Sequence, residues 1–250
     1  MKNFRLWAIL ALVVVLAAGA GYAYWNHAIR WAPETVDQNP EEIARLLEGA
    51  GWVSPGIEGR PLYMVSFRTC PDCLRFKAEQ FPDLHAAGVD TRVIEIARPD
   101  VNGLERSTAA ERATVAQLWL NRDYGLLERW LSVPASAWNA TDIPPADGDA
   151  ARTAVVEAGR DLVEQLRPLM KANGVDFAYP LLVWWDETGQ MKACACERRE
   201  TYRFLREDLG LPPQSDTPQL PAGQEDAGTD PAAPPPPADA DAAPAPAQAT

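Results

Sequence analysis

The chain of 250 residues has a net charge of −12 at pH 7, with 23 Lys and Arg against 35 Asp and Glu. This excess of acid argues against a nucleic acid as a partner, because phosphate backbones bind basic surfaces. Residues 212–250 contain several of the acids and no Lys or Arg, so the rest of the chain is only mildly acidic. The 4 cysteines lie in two close pairs, which indicates redox or metal chemistry rather than a disulfide scaffold.

Residues 1–25 have the pattern of a membrane anchor or an export signal. Lys2 and Arg5 precede a long uncharged stretch that is sufficient for one membrane span. The positive flank of such a span stays on the cytoplasmic side. We therefore predict one transmembrane helix in the inner membrane, with the domain in the periplasm. The alternative is a signal peptide that is cleaved near Ala18-Gly19-Ala20, and both hypotheses place the body where disulfides form.

One domain, residues 39–211, is predicted to follow a polar linker at residues 26–38. Asn39 and Pro40 are typical of the N-cap and first position of a helix that opens this domain. An apolar run at residues 62–67 is typical of a buried strand. The domain is long enough to bury a hydrophobic core.

The motif Cys-Pro-Asp-Cys stands where this strand ends and a helix, residues 74–81, begins. The unpaired N–H groups and the dipole of a helix N-terminus stabilise a thiolate, which lowers a cysteine pKa from roughly 8.5 to between about 3.5 and 7.5. Pro71 suits the first helical turn, where its missing N–H would have no partner. We predict that Cys70 is the exposed nucleophile and that Cys73 is the buried resolving thiol. Half of a zinc site and two unreactive thiols are the alternatives.

A helical insertion at about residues 104–172 is predicted between the second strand, residues 91–96, and a strand that begins with a proline. Thr108 with Glu111 forms a capping box at the start of one helix. Pro168 should kink or split the last helix of the insertion. The later predicted elements are a strand at residues 181–186, a hairpin strand at 191–196, a helix at 199–209 and a disordered Pro, Ala and Asp-rich tail at 212–250.

This order of elements resembles the thioredoxin fold, an α/β fold. The helical insertion and the local sequence at residues 67–73, 86–88 and 91–96 look like the periplasmic disulfide isomerase and oxidoreductase family DsbC/DsbG, over roughly residues 60–210. The resemblance implies a thiol–disulfide oxidoreductase, reductase or isomerase-like, whose sulfurs are the redox centre and which needs no cofactor or metal. Its partners would be substrate proteins with thiols or disulfides and a membrane redox partner. The alternative is a non-catalytic thioredoxin-like module that binds a metal ion through four cysteines, or a partner protein.

The resemblance also implies a substrate-binding position beside the thiols. In the family, the proline that opens the strand after the insertion is cis and lies next to the active-site sulfurs. This implies the same role for Pro180, since a cis X–Pro bond normally marks a built-in feature. Tyr179 stands where small hydroxyl residues are common in the family, and we expect it to shape the substrate groove.

Two further features depart from the family. The segment between the predicted span and the first core strand is short, which puts the dimerisation domain of the isomerases, and dimeric isomerase activity, in doubt. Asp72 disfavours a second negative charge beside it, so we expect Cys70 to be less acidic, and the disulfide less oxidising, than in relatives with His or Tyr there. Arg68 and Arg75 are candidates to offset part of this effect.

A second pair of cysteines, Cys194 and Cys196, stands on the predicted hairpin strand. At this spacing the two side chains share one face of the strand, and the implied fold brings the end of that strand toward the first motif. Three interpretations are open: a second redox pair, a stabilising disulfide or plain buried thiols, and a four-thiolate metal site. A metal site has little other support, because the only histidines are His27 and His85.

Overall fold

A mixed sheet lies at the centre of the computed structural model, which describes residues 2–213. The strands of this part of the chain are β1 (Glu34–Thr35), β2 (Arg60–Ser66), β3 (Val89–Glu95), β4 (Leu181–Trp185) and β5 (Met191–Ala195). Their spatial order is β1-β5-β4-β2-β3. Strands β2 and β3 are parallel, and the other neighbours are antiparallel.

The described residues contain seven α-helices, and all except the first bury side chains against the two faces of this sheet. They are α1 (Lys2–Tyr24), α2 (Pro40–Gly49), α3 (Pro71–Ala86), α4 (Ala109–Asn121), α5 (Tyr124–Ser132), α6 (Ala150–Ala172) and α7 (Tyr202–Asp208). Short turns of π and 3-10 helix lie at Trp25–Ile29, Ala135–Ala137 and Arg199–Thr201. The capping box predicted at Thr108 and Glu111 is confirmed, because both of its hydrogen bonds are formed.

Alternate side chains along the strands point to two separate hydrophobic clusters. The first core cluster contains Met64, Leu182 and Trp184 with residues of α3, α4, α5 and α7. The second core cluster contains Tyr63, Val65, Leu181 and Val183 with residues of α2 and α6. Strand β2 is therefore buried on both faces, which explains why it is an unbroken apolar run.

The connections define the class of fold. Strand β2, helix α3 and parallel strand β3 form one unit, and the hairpin β4–β5 with α7 forms a second unit that adds to the sheet beside β2. Helices α4, α5 and α6 lie between the two units as an insertion. This order and direction of strands is that of a thioredoxin-like fold, as the sequence predicts.

The predicted linker contains a strand. Residues Glu34 and Thr35 pair with Ala193 and Lys192 of β5, and the N–H of Val36 donates to Met191 O at 2.9 Å. Val36 is buried. Two paired residues are too few to produce an alternating pattern, so the sequence carries no strand signal here.

Proline interrupts neither of two helices in which we predicted a break. Helix α3 continues through Pro82 to Ala86, although the sequence indicated an end near residue 81. Helix α6 likewise runs through Pro168 as one element. The buried side chains of Leu84 in α3 and Met170 in α6 lie beyond each proline, and their packing offsets the lost backbone hydrogen bond.

The N-terminal apolar stretch is helical, as α1. Within the described residues, no helix combines the length and the hydropathy needed to cross a membrane. The tail predicted at residues 212–250 lies outside the described residues except for Pro212 and Pro213. Asn39 occupies the N-cap position of α2 with φ of 54°, and its side chain makes no capping hydrogen bond.

Candidate functional site

The first pair of cysteines forms a disulfide at the start of α3. Cys70 is the N-cap residue, with an extended backbone, and its Sγ accepts the N–H of Cys73 at 3.1 Å. Pro71 occupies the first helical turn, as predicted. The Cα atoms of Cys70 and Cys73 are 5.2 Å apart. The motif is thus placed so that a backbone donor of the first turn points at one of the two sulfurs.

The predicted difference in exposure between the two cysteines is absent in this disulfide form. Cys70 is 2% exposed and Cys73 is 0% exposed. Both belong to the first core cluster, with Phe67 and Tyr179 packed at its border. The direction of the Cys73 N–H toward Cys70 Sγ, rather than exposure, distinguishes the two positions, and their roles stay a prediction.

The charge on Asp72 is paired. Arg75 forms an ion pair with Asp72 at 2.6 Å and donates to the carbonyl of Glu197 at 2.5 Å. The pKa of Arg75 is raised, chiefly by a hydrogen bond with Tyr202. Of the two arginines that the sequence offered to offset the charge of Asp72, Arg75 is therefore the one that pairs with it.

Arg68, the other candidate, is held by the helical insertion. It is buried, its guanidinium carbon lies 5.6 Å from the centre of the Trp130 ring, and it donates to Val133 O. Burial lowers its pKa. Arg68 thus ties the loop before Cys70 to α5 and contacts neither Asp72 nor a sulfur in any hydrogen bond described here.

The peptide bond between Tyr179 and Pro180 is cis, which confirms the geometry that the resemblance implies. The ring of Tyr179 packs edge-on against Phe67, with centroids 5.1 Å apart, and against Phe177 at 5.3 Å. Since Phe67 O accepts the N–H of Cys70 at 3.1 Å, these contacts place the cis peptide beside the active-site loop. Burial raises the pKa of Tyr179, so its phenol is neutral at physiological pH.

The sequence did not indicate the arginines that border this aromatic cluster. The guanidinium of Arg98 lies 3.9 Å from the centre of the Phe67 ring and donates to Thr69 Oγ1 at 3.1 Å. Arg167 lies 4.9 Å from the centre of the Phe177 ring. Both arginines are distant in sequence from the motif, so only the fold brings them to it.

A buried charged cluster underlies the motif helix and was also missed. Lys77 of α3 pairs with Glu95 of β3, and Ser66 Oγ lies 2.7 Å from Glu95 Oε1 and 3.2 Å from Lys77 Nζ. Lys77 is 8% and Glu95 1% exposed. The available signal was Lys77 itself, which follows Cys73 by four residues and therefore lies on the same, buried face of the helix.

The second pair of cysteines also forms a disulfide. Cys194 and Cys196 have Cα atoms 5.2 Å apart and are 8% and 0% exposed. Cys194 is opposite Leu182 in the sheet, and the N–H of Cys196 donates to Pro180 O at 2.9 Å. The structure therefore brings this pair to the cis peptide, as the sequence predicts.

Metal ligands are not grouped in the part of the chain that the structure describes. Among residues 2–213, no cluster of three or more His, Cys, Asp or Glu side chains is placed to hold a metal ion. His85 Nε2 lies 2.7 Å from Thr91 Oγ1, and burial lowers its pKa. The four-thiolate interpretation gains no support from this arrangement.

The chain thus has a thioredoxin-like fold with a C-x-x-C disulfide at the start of a helix and a cis-proline beside it. No known protein family and no curated protein matches the sequence. Solved structures that resemble the chain include the catalytic domain of Proteus mirabilis ScsC, with 12% identity, TM-score 0.43, and coverage of 68% of this chain and 96% of that one. A periplasmic thioredoxin-like protein from Salmonella enterica serovar Typhimurium has 14% identity, TM-score 0.45, and coverage of 70% and 99%. Chlamydia trachomatis DsbA has 15% identity, TM-score 0.34, and coverage of 63% and 89%. The assignment to the fold rests on the strand topology, and the finer resemblance to DsbC/DsbG stays a prediction.

Proposed function

We propose that this protein is a thiol–disulfide oxidoreductase that acts on protein disulfides through Cys70 and Cys73. The observation that carries the proposal is the N–H of Cys73 directed at Cys70 Sγ, at a helix N-terminus beside a cis-proline. When the disulfide is reduced, the same N–H and the helix dipole favour a Cys70 thiolate. A thiolate is the nucleophile of disulfide exchange.

The reaction follows from these positions. In the reducing direction the Cys70 thiolate attacks one sulfur of a substrate disulfide, forms a mixed disulfide and releases the other substrate sulfur as a thiolate. Cys73, as a thiolate, then attacks Cys70 Sγ, which restores the Cys70–Cys73 bond and frees the second substrate thiol. Two electrons pass to the substrate and no cofactor is required. The oxidising direction reverses these steps, and the redox partner decides between them.

Tyr179 and Pro180 are proposed as the substrate-binding residues. The cis peptide presents Tyr179 with Phe67 and Phe177 as an aromatic surface next to Cys70. Such a surface favours the exposed apolar side chains of an incompletely folded protein. Because Cys70 is nearly buried, exchange requires a local movement of the residues at this border.

Within this reaction class we propose a reductase rather than a dimeric isomerase of the DsbC/DsbG type. Residues between α1 and β2 fold as β1 and α2 and join this domain, so they supply no separate dimerisation domain. Asp72, although paired with Arg75, adds a negative charge beside the thiols. This charge favours the protonated thiol over the thiolate, which makes the disulfide less oxidising and suits a reductase. Reactivation of scrambled ribonuclease, an isomerase assay, should therefore be weak relative to disulfide reduction.

Reduction of insulin with dithiothreitol as electron source tests the proposal. The wild-type protein should accelerate precipitation of insulin chains, and Cys70→Ser should abolish the acceleration. Cys73→Ser should instead accumulate a mixed disulfide through Cys70, since the resolving thiol is missing. Glu164→Ser, an exposed change on α6, is the control and should behave as wild type.

A non-catalytic module would behave differently in the same experiments. Insulin reduction at the uncatalysed rate in the wild type, with no mixed disulfide in Cys73→Ser, would reject the enzymatic proposal. One equivalent of metal bound by the reduced wild type, and lost on replacing any one cysteine, would then establish the four-thiolate alternative.

We further propose that the domain is exported to the periplasm, with substrate proteins and a membrane redox partner there. The support is the charge pattern before the apolar stretch and the exposure of the large side chains of α1 in the described structure. These are Leu10, Leu12, Val13, Val14, Val15 and Leu16. A single-pass anchor and a cleaved signal peptide are the two forms that this export can take.

A further inference from the structure

We infer that the Cys194–Cys196 disulfide is a second redox-active pair that exchanges electrons directly with Cys70 and Cys73. This inference rests on the proposed function, because the first pair must itself undergo thiol–disulfide exchange. With both disulfides active, each chain would store two electron pairs rather than one. The inference is carried by where the fold places the second pair.

Both disulfides lie on the same side of the sheet. Cys194 is opposite Leu182, whose side chain belongs to the first core cluster, and Cys70, Cys73 and Cys196 belong to it as well. Helix α3, which carries the first pair at its N-terminus, contributes Phe76 to this cluster. The four sulfurs therefore share one hydrophobic cluster instead of lying on opposite sides of the sheet.

Backbone hydrogen bonds hold the second pair against the first motif. The N–H of Cys196 donates to Pro180 O at 2.9 Å, in the cis segment that borders the Cys70 loop. Arg75, in the first turns of α3, donates to Glu197 O at 2.5 Å. The residue that follows the second pair is thus bonded directly to the helix that carries the first.

A cleft of about 480 Å³ is lined by one residue of the first motif and by residues that follow the second pair. Asp72, between the cysteines of the first motif, lines it, and so does Glu197, next to Cys196. The other lining residues are Arg75, Arg198, Arg199 and Glu200. This space beside both pairs gives the charged side chains around it room to move.

A purely stabilising role accounts for the second pair less well. A disulfide stabilises a protein mainly by lowering the conformational entropy of the unfolded chain, and this stabilisation grows with the length of the loop that the bond closes. Cys-Ala-Cys closes a very short loop. Strand β5 is already paired with β4 as far as Ala195, and the N–H of Cys196 donates to Pro180 O. The bond therefore adds little restraint to a segment that the sheet already fixes.

The exchange balances without an external reagent. A Cys73 thiolate attacks Cys196 Sγ, the Cys73–Cys196 bond forms as the Cys194–Cys196 bond breaks, and Cys194 leaves as a thiolate that takes up a proton. The Cys70 thiolate then attacks Cys73 Sγ, which forms the Cys70–Cys73 bond and releases Cys196 as a thiol. The first pair is oxidised, the second is reduced, and the reverse transfer uses the same steps.

The test captures the intermediate in full-length variants that retain one cysteine of the first motif, Cys70→Ser and Cys73→Ser. Each is reduced, reoxidised with diamide, quenched with acid, alkylated and digested with trypsin. Cleavage after Arg68 and Arg75 releases residues 69–75, and cleavage after Lys192 and Arg198 releases residues 193–198. A disulfide between these two peptides is the expected product, because the serine at the other first-motif position cannot resolve it, and acid quenching with alkylation stops the freed thiol of the second pair from reversing the exchange.

A matched control carries its third thiol elsewhere. The triple variant Cys70→Ser, Cys73→Ser, Thr188→Cys keeps the second pair and places a thiol on the exposed turn of the β4–β5 hairpin. Its cross-link to residues 193–198 should be at least about tenfold less abundant than that of the better single variant, since exchange needs direct sulfur contact. Equal abundance in the control and both single variants overturns the inference.

Insulin reduction by the wild type separates this result from the proposed function. If insulin is reduced but neither single variant forms the cross-link above the control, the second pair is not in exchange and the proposed function stands. If insulin is not reduced, the proposed function fails, and the inference fails with it. A lower unfolding temperature in Cys194→Ser, Cys196→Ser without any cross-link in the single variants assigns the bond a structural role and also overturns the inference.

Discussion

At the scale of single residues, the ion pair of Asp72 and Arg75 determines the charge beside the first disulfide. Arg75 contacts two acceptors at once, the Asp72 carboxylate and Glu197 O. The carboxylate stays next to the sulfurs, and its charge is neutralised only in part because both side chains of the pair are partly exposed to solvent. Removal of the carboxylate alone should therefore alter the reactivity of Cys70.

Asp72→Asn should make reduced Cys70 more reactive. The variant removes a negative charge and leaves Arg75 in place, so the pKa of the Cys70 thiol should fall. Alkylation of Cys70 by iodoacetamide at about pH 6 should be roughly threefold faster than in wild type, because a larger fraction of the thiol is ionised.

Glu164→Gln is the control for this change, because it also removes one carboxylate but from an exposed position on another helix, α6. Its alkylation rate should match that of the wild type. A rate in Asp72→Asn that is unchanged or slower would contradict the electrostatic account of the motif.

The sequence pointed to the sulfurs, Pro180 and Arg75, and gave no sign of Arg98 and Lys77. Cys70, Cys73 and Pro180 stand in local patterns that a sequence displays. Arg98 and Lys77 do not, because each acts through a partner on another element, Thr69 on the active-site loop and Glu95 on β3. Long-range contacts of this kind follow from the topology of the fold and produce no recognisable spacing of residues in the sequence.

At the scale of elements, α3 connects the redox motif to the core and ends at a titratable group. His85 stands in its last turn, where the helix dipole favours a cation. Burial nevertheless lowers the pKa of His85, against the opposing effects of Asp90 and Glu128. The folded protein therefore prefers the neutral imidazole, which contacts Thr91.

This preference predicts a loss of stability in mild acid. The folded pKa of His85 is below the unfolded value of about 6.5, so its contribution is full above that pH and declines as the pH falls below it. His85→Gln keeps a group that can bond to Thr91 and removes the titration. Thermal unfolding at about pH 7.5 and pH 5.5 should show a smaller decrease in Tm for the variant than for wild type.

Only the difference between the Tm decrease of wild type and that of His85→Gln reports on His85, because carboxylates also titrate over this range. Glu128→Gln is a useful second variant, since Glu128 raises the pKa of His85 and its removal should leave the wild-type decline or steepen it. Parallel declines in wild type and His85→Gln would contradict the role of His85.

The elements themselves were mostly predictable, and the exceptions share a cause. Periodicity and end signals located β2, β4 and the capped α4. Strand β1 was missed, and the break expected at Pro82 is absent. In both cases tertiary packing decides: β1 exists because β5 offers an open edge, and α3 continues because Phe81 and Leu84 are buried. A local pattern does not report such packing.

At the scale of the whole molecule, two disulfides in one domain agree with a compartment that permits oxidation. The N-terminal charges and the exposed apolar side chains of α1 support the export that we propose. Residues 214–250 are acidic and include no basic residue. A reporter fused after the N-terminal helix can test this export.

Alkaline phosphatase fused after residue 30 should be active in a Gram-negative host, because the enzyme folds only when exported. Full-length protein in the membrane fraction would establish an uncleaved anchor, and a soluble, shortened protein would establish cleavage near Ala20. Arg5→Glu with Lys2→Glu, which reverses the positive flank, should reduce the phosphatase activity. An inactive fusion with the native N-terminus would reject export.

The pairing of β1 with β5 has a consequence for how the N-terminus can be trimmed. Cleavage near Ala20 leaves Glu34 and Thr35 in place, so the outer edge of the strand that carries Cys194 stays covered in the mature protein. A chain that begins at residue 39 would lose that cover and expose a row of unsatisfied backbone groups, the kind of edge that recruits strands from neighbouring molecules. Self-association through this edge would place the Cys194 strands of two molecules side by side.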